Sequence, residues 1–308
     1  MTRPEILPFA DDHLDGAAAL LAARHARHRE AEPLLPVDVD FREQIERERD
    51  ELPGVVAVSG DEVVGYLVGR RREDQVGPHV WSYIAGHAVV EPELTRDLYA
   101  TAAGAWVDAG LTRHFVYVPA LPDLVDPWFR LSFGASAALA ARETAPEPTV
   151  DADVAIREST PDDIRAAAKL ERLMGESMIS SPSFSWSEPE DEAALLEEWA
   201  DTWEKTETYR HFLAERDGNI VGHILLYRRP RDLRVPADSI DLAQASTEPT
   251  ERGSGIGVGL THHVIRWAHE HGYPTMVTDW RMTNLLASRF WPKRGFRTSF
   301  LRLYRSIP

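Results

Sequence analysis

The spacing of apolar positions repeats along this chain. Ile6, Leu14, Ala17, Ala18 and Leu20 recur as Ile156, Ile164, Ala167, Ala168 and Leu170, each at an offset of 150. Both stretches predict a short strand, a helix start marked by paired acids (Asp11 and Asp12; Asp162 and Asp163) and an amphipathic helix. A predicted hairpin follows in each copy, over 55–71 and 212–229. The turns are Gly60-Asp61-Glu62 and Asp217-Gly218-Asn219, flanked by β-prone apolar residues. Gly65-Tyr66-Leu67 in the first answers Gly222-His223-Ile224 in the second. The order β-α-β-β-β-α-β-α-β suits both halves. Residues 144–151, rich in proline and acid, read as a linker, so the expected domains are 1–147 and 153–308.

One stretch stands out by its chemistry. After a predicted strand over 240–245, Arg252-Gly253-Ser254-Gly255-Ile256-Gly257 runs into an amphipathic segment at 258–269. Glycines at alternate positions before a helix let backbone N–H groups turn toward an anion, with the positive helix end behind them. Arg252 adds a charge at the mouth. A phosphate, and more narrowly a pyrophosphate, is the expected ligand. A Walker loop is excluded because no Lys-Ser/Thr follows the glycines, and the third glycine comes too early for a Rossmann fingerprint.

The loop resembles the acyl-CoA loop of the GNAT superfamily of N-acetyltransferases, Arg/Gln-x-x-Gly-x-Gly/Ala. A second block, Asn284-x-x-Ala287-x-x-Phe290-Trp291-x-x-x-Gly295-Phe296, is similar to that family's other signature and lies about 30 residues on, as the resemblance requires. One position departs from the pattern: Trp291 stands where the family usually has tyrosine. The resemblance implies an α/β (α+β) fold of two tandem GNAT-like domains, each a mixed, mostly antiparallel central sheet flanked by helices. It implies acetyl-CoA as co-substrate, held by Arg252, Gly253, Ser254, Gly255, Ile256 and Gly257. Backbone groups of Ser246 and Thr247 would pair with the pantetheine arm, Asn284 would contact the cofactor, and Trp291 would line the pantetheine or pack under the loop.

The first copy reads as degenerate. Aligning Glu91-Pro92 with Glu248-Pro249 puts Thr95-Arg96-Asp97-Leu98-Tyr99-Ala100 where the glycine loop should be. Leucine and tyrosine there fill the space a pyrophosphate needs, and Asp97 repels it. Residues 128–133 echo 291–296, so the fold is expected to persist without the chemistry.

Composition narrows the function classes. The chain has 308 residues, no cysteine and a formal net charge of −16. That charge repels nucleic acid and favours a cationic partner. There is no thiolate nucleophile, no run long enough for a membrane span and no apolar leader, so a cytoplasmic protein is expected. It is expected to be a monomer or homodimer. The paired histidines 262–263 and 269/271 lack a convergent carboxylate, so no metal site is expected.

Transfer of an acetyl group to a small-molecule primary amine, by direct attack in a ternary complex, needs a group to take the amine proton. Asp241 is the first candidate, sharing a face with Thr247 by strand alternation. Asp279, after the apolar strand 276–278, is the second, and His223 on the hairpin the third. The general acid is open, because an indole cannot protonate a thiolate; Ser288, Tyr304 or water are the alternatives. Residues 175–208 are expected to hold a loop at 180–186 and an acidic helix at 190–208. Its Trp199 and Trp203 form either part of an amine-binding pocket or a stripe buried against the sheet. The loss of the tyrosine leaves a rival reading, a non-catalytic acyl-CoA-binding regulatory protein.

Overall fold

The computed structural model describes residues 3–49, 52–74, 76–150, 152–185, 191–205 and 207–308. The chain folds into two compact units, Met1–Leu139 with Thr298–Pro308, and Ala140–Arg297. It passes between them inside strands rather than in the stretch 144–151 that reads as a linker.

The first unit contains β1 (Glu5–Pro8), α1 (Leu14–Ala31), α2 (Phe41–Glu48), β2 (Val55–Ser59), β3 (Glu62–Leu67), β4 (Arg70–Asp74), β5 (Gly77–Ser82), β6 (His87–Val89), α3 (Leu94–Asp108), β7 (Arg113–Pro119), α4 (Pro122–Arg130) and most of β8 (Gly134–Glu143). Strands β1, β2, β3 and β6 pair in that order, all antiparallel. The hairpin β4–β5 is not apparent in the sequence, because Arg70–Asp74 is an exposed run of charges. Such residues suit an edge strand that must not recruit another. Val80, Trp106, Val116, Val118, Trp128, Phe133 and Leu303 belong to the core of this unit.

Residues 95–100 lie within α3, which starts without a positive-φ glycine. Leu98 and Tyr99 are buried in the core, and the Tyr99 hydroxyl is 2.8 Å from His114 Nδ1. The space that a phosphate loop leaves open is filled here by side chains.

The second unit contains β9 (Ala155–Glu158), α5 (Ile164–Ile179), α6 (Glu192–Glu204), β10 (Tyr209–Arg216), β11 (Asn219–Tyr227), β12 (Ser239–Thr247), α7 (Ile256–Glu270), β13 (Thr275–Arg281) and α8 (Leu285–Phe290), and ends at the first residue of β14 (Arg297–Ser306). Its sheet order is β13-β12-β11-β10-β9, antiparallel except for the parallel pair β12–β13. The β10–β11 turn uses Asp217 (φ 51°) and Gly218 (φ 77°), the paired positive dihedrals that match strand twist. The acids before α5 act as a cap: Asp163 accepts from the Thr160 N–H at 2.7 Å and is held by Arg157 through two bonds of 2.8 Å.

Paired residues share a face of the sheet, which sorts the core. Phe212, Gly222 and Ile224 face α7, where Phe212 meets Trp267. His223, Leu225 and Tyr227 face α5 and α6, where Ala167, Ala168, Leu195, Trp199 and Leu225 cluster. Trp199 is thus buried against the sheet, as the stripe reading expects. Residues 186–190, including Trp186 and the first residue of the expected acidic helix, lie outside the described residues. Among the described residues no helix is long and apolar enough to cross a membrane.

Candidate acyl-CoA site

The site begins where β12 loses a neighbour. Ser239–Leu242 pair in parallel with Thr275–Thr278, and the pairing with β13 ends there. β12 continues to Thr247 against β11 alone, and the register skips Ala243, a β-bulge opposite Leu225 and Leu226. The Glu248 N–H donates to Val221 O at 2.9 Å, toward β11. By alternation Ser246 and Gln244 also face β11, while the N–H groups of Ala245 and Thr247 face the gap left by β13. An extended ligand entering that gap meets the edge of a strand.

The glycine loop follows. Gly253 (φ 87°) and Gly255 (φ 91°) occupy the left-handed region that side chains disfavour. Gly255 is the N-cap of α7 and makes no side-chain cap bond. The Gly259 N–H is the donor to Gly255 O at 2.9 Å, so the amides of Ile256, Gly257 and Val258 precede the first helical bond. Gly257 is different: a Cβ there would sit at ordinary distance, 3.6 Å, from Phe290, so neither φ nor packing demands glycine. What its missing side chain leaves is open space over the helix end. The two flanking acids are neutralised, Glu248 by Lys169 and Glu251 by Arg216, each at 2.5 Å. Arg252 is exposed at the mouth.

The second block closes the other side. Asn284 caps α8, accepting from the N–H groups of Leu286 and Ala287 at 3.1 Å each, and its Nδ2 lies 3.6 Å from Met178 Sδ. Its first role is to fix that helix. Trp291 is buried, with edge contacts to Phe290 and Phe296 at 4.9 and 5.5 Å, and Arg294 lies 4.1 Å over the Phe290 ring. Together these elements line one cleft of about 490 Å³. Ser246, Thr247, Arg252, Gly253, Gly255, Ile256, Gly257, Asn284 and Trp291 all line it. Ser254 does not; its hydroxyl turns back to Glu251 O at 2.6 Å.

The two expected bases are placed elsewhere. Neither Asp241 nor Asp279 lines the cleft. Asp241 lies six residues before Thr247, roughly 20 Å along an extended strand. The bulge at Ala243 reverses the alternation, so Asp241 and Thr247 sit on opposite faces, against the sequence expectation. Asp241 is buried and pairs with Arg229 at 2.5 Å. Burial pushes its carboxyl up to about 6, with Asp279 adding to the rise and Arg229 opposing it. Asp279 is exposed just past the point where β13 leaves β12.

His223 does line the cleft, and is fully buried. Its Nδ1 is 3.0 Å from His211 Nε2, and His211 Nδ1 is 2.8 Å from Ser159 Oγ. Burial pushes His223 down to about 4 and His211 well below the usual histidine value, so both rings are neutral near pH 7. Beside them Trp199 donates to Glu171 at 2.6 Å, and Gln244 donates to the other Glu171 oxygen at 2.5 Å. Ser159, His211, Glu171 and Gln244 carry no signal in sequence, since they converge from four separate elements.

An unpaired strand edge, a glycine-opened helix start and a capped short helix thus surround one cleft. Residues 174–296, within the C-terminal unit, match the acetyltransferase (GNAT) family. Members of that family use acyl-CoA. No curated protein matches the chain in sequence. Among solved structures, a GCN5-related N-acetyltransferase from Sphaerobacter thermophilus is 15% identical, with 99% of this chain and 96% of that one covered and a TM-score of 0.60. The tandem GNAT protein from the clavulanic acid biosynthesis pathway is 14% identical, with 98% of each chain covered and a TM-score of 0.52. A glucosamine N-acetyltransferase region of a fungal multi-domain GH3 β-N-acetylglucosaminidase is 14% identical at a TM-score of 0.60. It covers 99% of this chain and 38% of that one. At these identities the likeness establishes the shared tandem fold.

Proposed function

We propose that the C-terminal unit moves an acetyl group from acetyl-CoA to a primary amine of a small molecule in the cytoplasm, by direct attack in a ternary complex. The N-terminal unit is a degenerate copy that supports it. The carrying observation is the cleft itself, in which free helix amides and the unpaired edge of β12 meet.

Acetyl-CoA fits these residues. The amides of Ile256 to Val258, with Arg252 and Arg294, suit the pyrophosphate. The pantetheine lies along Ala245 to Thr247 as a strand would, and an outward N–H of that edge is in place to stabilise the tetrahedral oxyanion. Trp291 shapes the cleft wall and supplies no proton. The net charge of −16 suits a cationic acceptor.

The test is calorimetric titration of the full chain with acetyl-CoA, followed by CoA release with a panel of aliphatic, amino-sugar and arylalkyl amines. One site per chain, lost in Gly255→Glu, with amine-dependent turnover, is expected. Two sites would overturn the degenerate reading of 95–100. Binding without turnover on every amine would favour a non-catalytic acyl-CoA-binding protein, and no binding would sink the proposal.

A further inference from the structure

Three features of the histidine pair coincide. His223 lines the cleft; its Nδ1 is engaged by His211; and its Nε2 is a buried nitrogen with no hydrogen-bond partner among the described residues. A buried, unsatisfied ring nitrogen costs stability unless something uses it. The partners on the other side decide what it can do. Where Ser159 Oγ accepts from His211 Nδ1–H, rather than donating to Nδ1, His211 Nε2 is left as an acceptor and holds the proton of His223 on Nδ1. The lone pair of His223 is then on Nε2.

Resting on the acetyltransferase reading above, we propose that His223 is the catalytic base, with His211 and Ser159 as positioning residues that fix its tautomer. The amine nitrogen forms a bond to the thioester carbon, and the carbonyl pair moves to oxygen. One N–H proton passes to His223 Nε2, directly or across one water. The carbonyl re-forms, the C–S bond breaks with its pair on sulfur, and that sulfur takes the proton from Nε2. The products are the amide and CoA thiol, and the imidazole is neutral again. One residue thus serves nitrogen and sulfur in turn, which removes the need for a tyrosine at 291.

The surroundings keep the ring neutral between turnovers. His211 faces it from β10, Ser246 and Gln244 from β12, and Trp199 from α6; the carboxylate of Glu171 on α5 is taken up by Trp199 and Gln244. A base of this kind stays ready throughout the neutral range, and it is lost only as pH falls toward about 4.

Long-range ¹H–¹⁵N correlation on the uniformly ¹⁵N-labelled full chain, with His223→Gln used for assignment, tests the proposal without an acceptor. The expected result is an Nδ1–H tautomer with bare Nε2 that stays neutral down to about pH 5. An Nε2–H tautomer, or a charged ring at pH 7, would overturn it. With any amine found active, His223→Gln should lower kcat roughly 100-fold with acetyl-CoA affinity within about twofold. A kcat within about threefold of wild type would refute the base assignment. Ser159→Ala keeps the ring and should mix its tautomers, with a smaller fall in kcat. Failure of the wild-type chain to bind acetyl-CoA would sink the acetyltransferase reading instead, and leave the tautomer result to judge His223.

Discussion

The buried histidines make acid stability a sharp test of the structure, because they are unevenly divided between the two units. In the first unit burial, helped by the charge of Arg24, pushes His28 and His87 down to about 3, and burial pushes His114 down to about 4. Each has a folded pKa below its unfolded value, so its contribution is complete above about pH 6.5 and is lost as pH falls toward the folded value. At about pH 5 each costs about 2 kcal/mol relative to pH 8, and the three together roughly 6 kcal/mol. That approaches the whole stability of a domain, on the order of 5–15 kcal/mol. Arginine-paired Asp11 and Asp123 are held below the usual carboxylate range and change little above about pH 4. The second unit loses about 2 kcal/mol through His223 and a further contribution through His211. Asp241, raised to about 6, has the opposite sign: its ionised form is strained, and acidification from pH 8 to 5 returns roughly 1.4 kcal/mol. The first unit is therefore expected to lose more stability than the second between about pH 8 and pH 5. Urea unfolding at about pH 8 and pH 5, resolved by hydrogen exchange of peptides from α3 and α7, measures this. A change below about 2 kcal/mol for α3, or a larger change for α7 than for α3, would refute the reasoning.

Four further outcomes follow from the structure. Gly255→Glu places a side chain at φ 91° and a carboxylate beside the proposed phosphate position. Acetyl-CoA affinity should fall roughly 100-fold or more by calorimetry, at a folding cost of about 1–2 kcal/mol. Asp241→Asn should leave kcat within about twofold across pH 6–9, since the residue lies outside the cleft; a large loss would restore it as the base. Trp291→Ala removes a buried ring between Phe290 and Phe296, and should cost about 3–5 kcal/mol in urea unfolding. Trp291→Tyr should retain most of that stability; a several-fold rise in kcat would show that a proton donor at this position is limiting after all.

Much of the site is legible in the sequence because its backbone chemistry is local. Positive φ at Gly253 and Gly255, the cap at Asn284 and the turn at Asp217-Gly218 are each set by a residue and its near neighbours. The offset of 150 between the two halves is legible for the same reason, since helix and strand periodicities are written residue by residue. Local chemistry also underlies the proposed degeneracy of the first copy: leucine and tyrosine at 98 and 99 leave no open space, and both are core residues.

What the sequence leaves undetermined is whatever depends on pairing between distant strands. One extra residue at Ala243 reverses the face of everything before it, and no composition rule marks a bulge in advance. Asp241 thereby moves from a plausible base to an internal partner of Arg229. The path of the chain through two compact units is likewise fixed by which strands meet, not by the proline-rich stretch at 144–151. His223 is one histidine on a hairpin until β9, β10 and β11 bring Ser159, His211 and His223 into line. The sequence by itself determined the two-copy plan and the glycine loop at the start of α7, which depend on local dihedral and capping preferences. The tertiary structure alone decided which titratable group stands at the cleft, because register and burial arise only when remote segments pack.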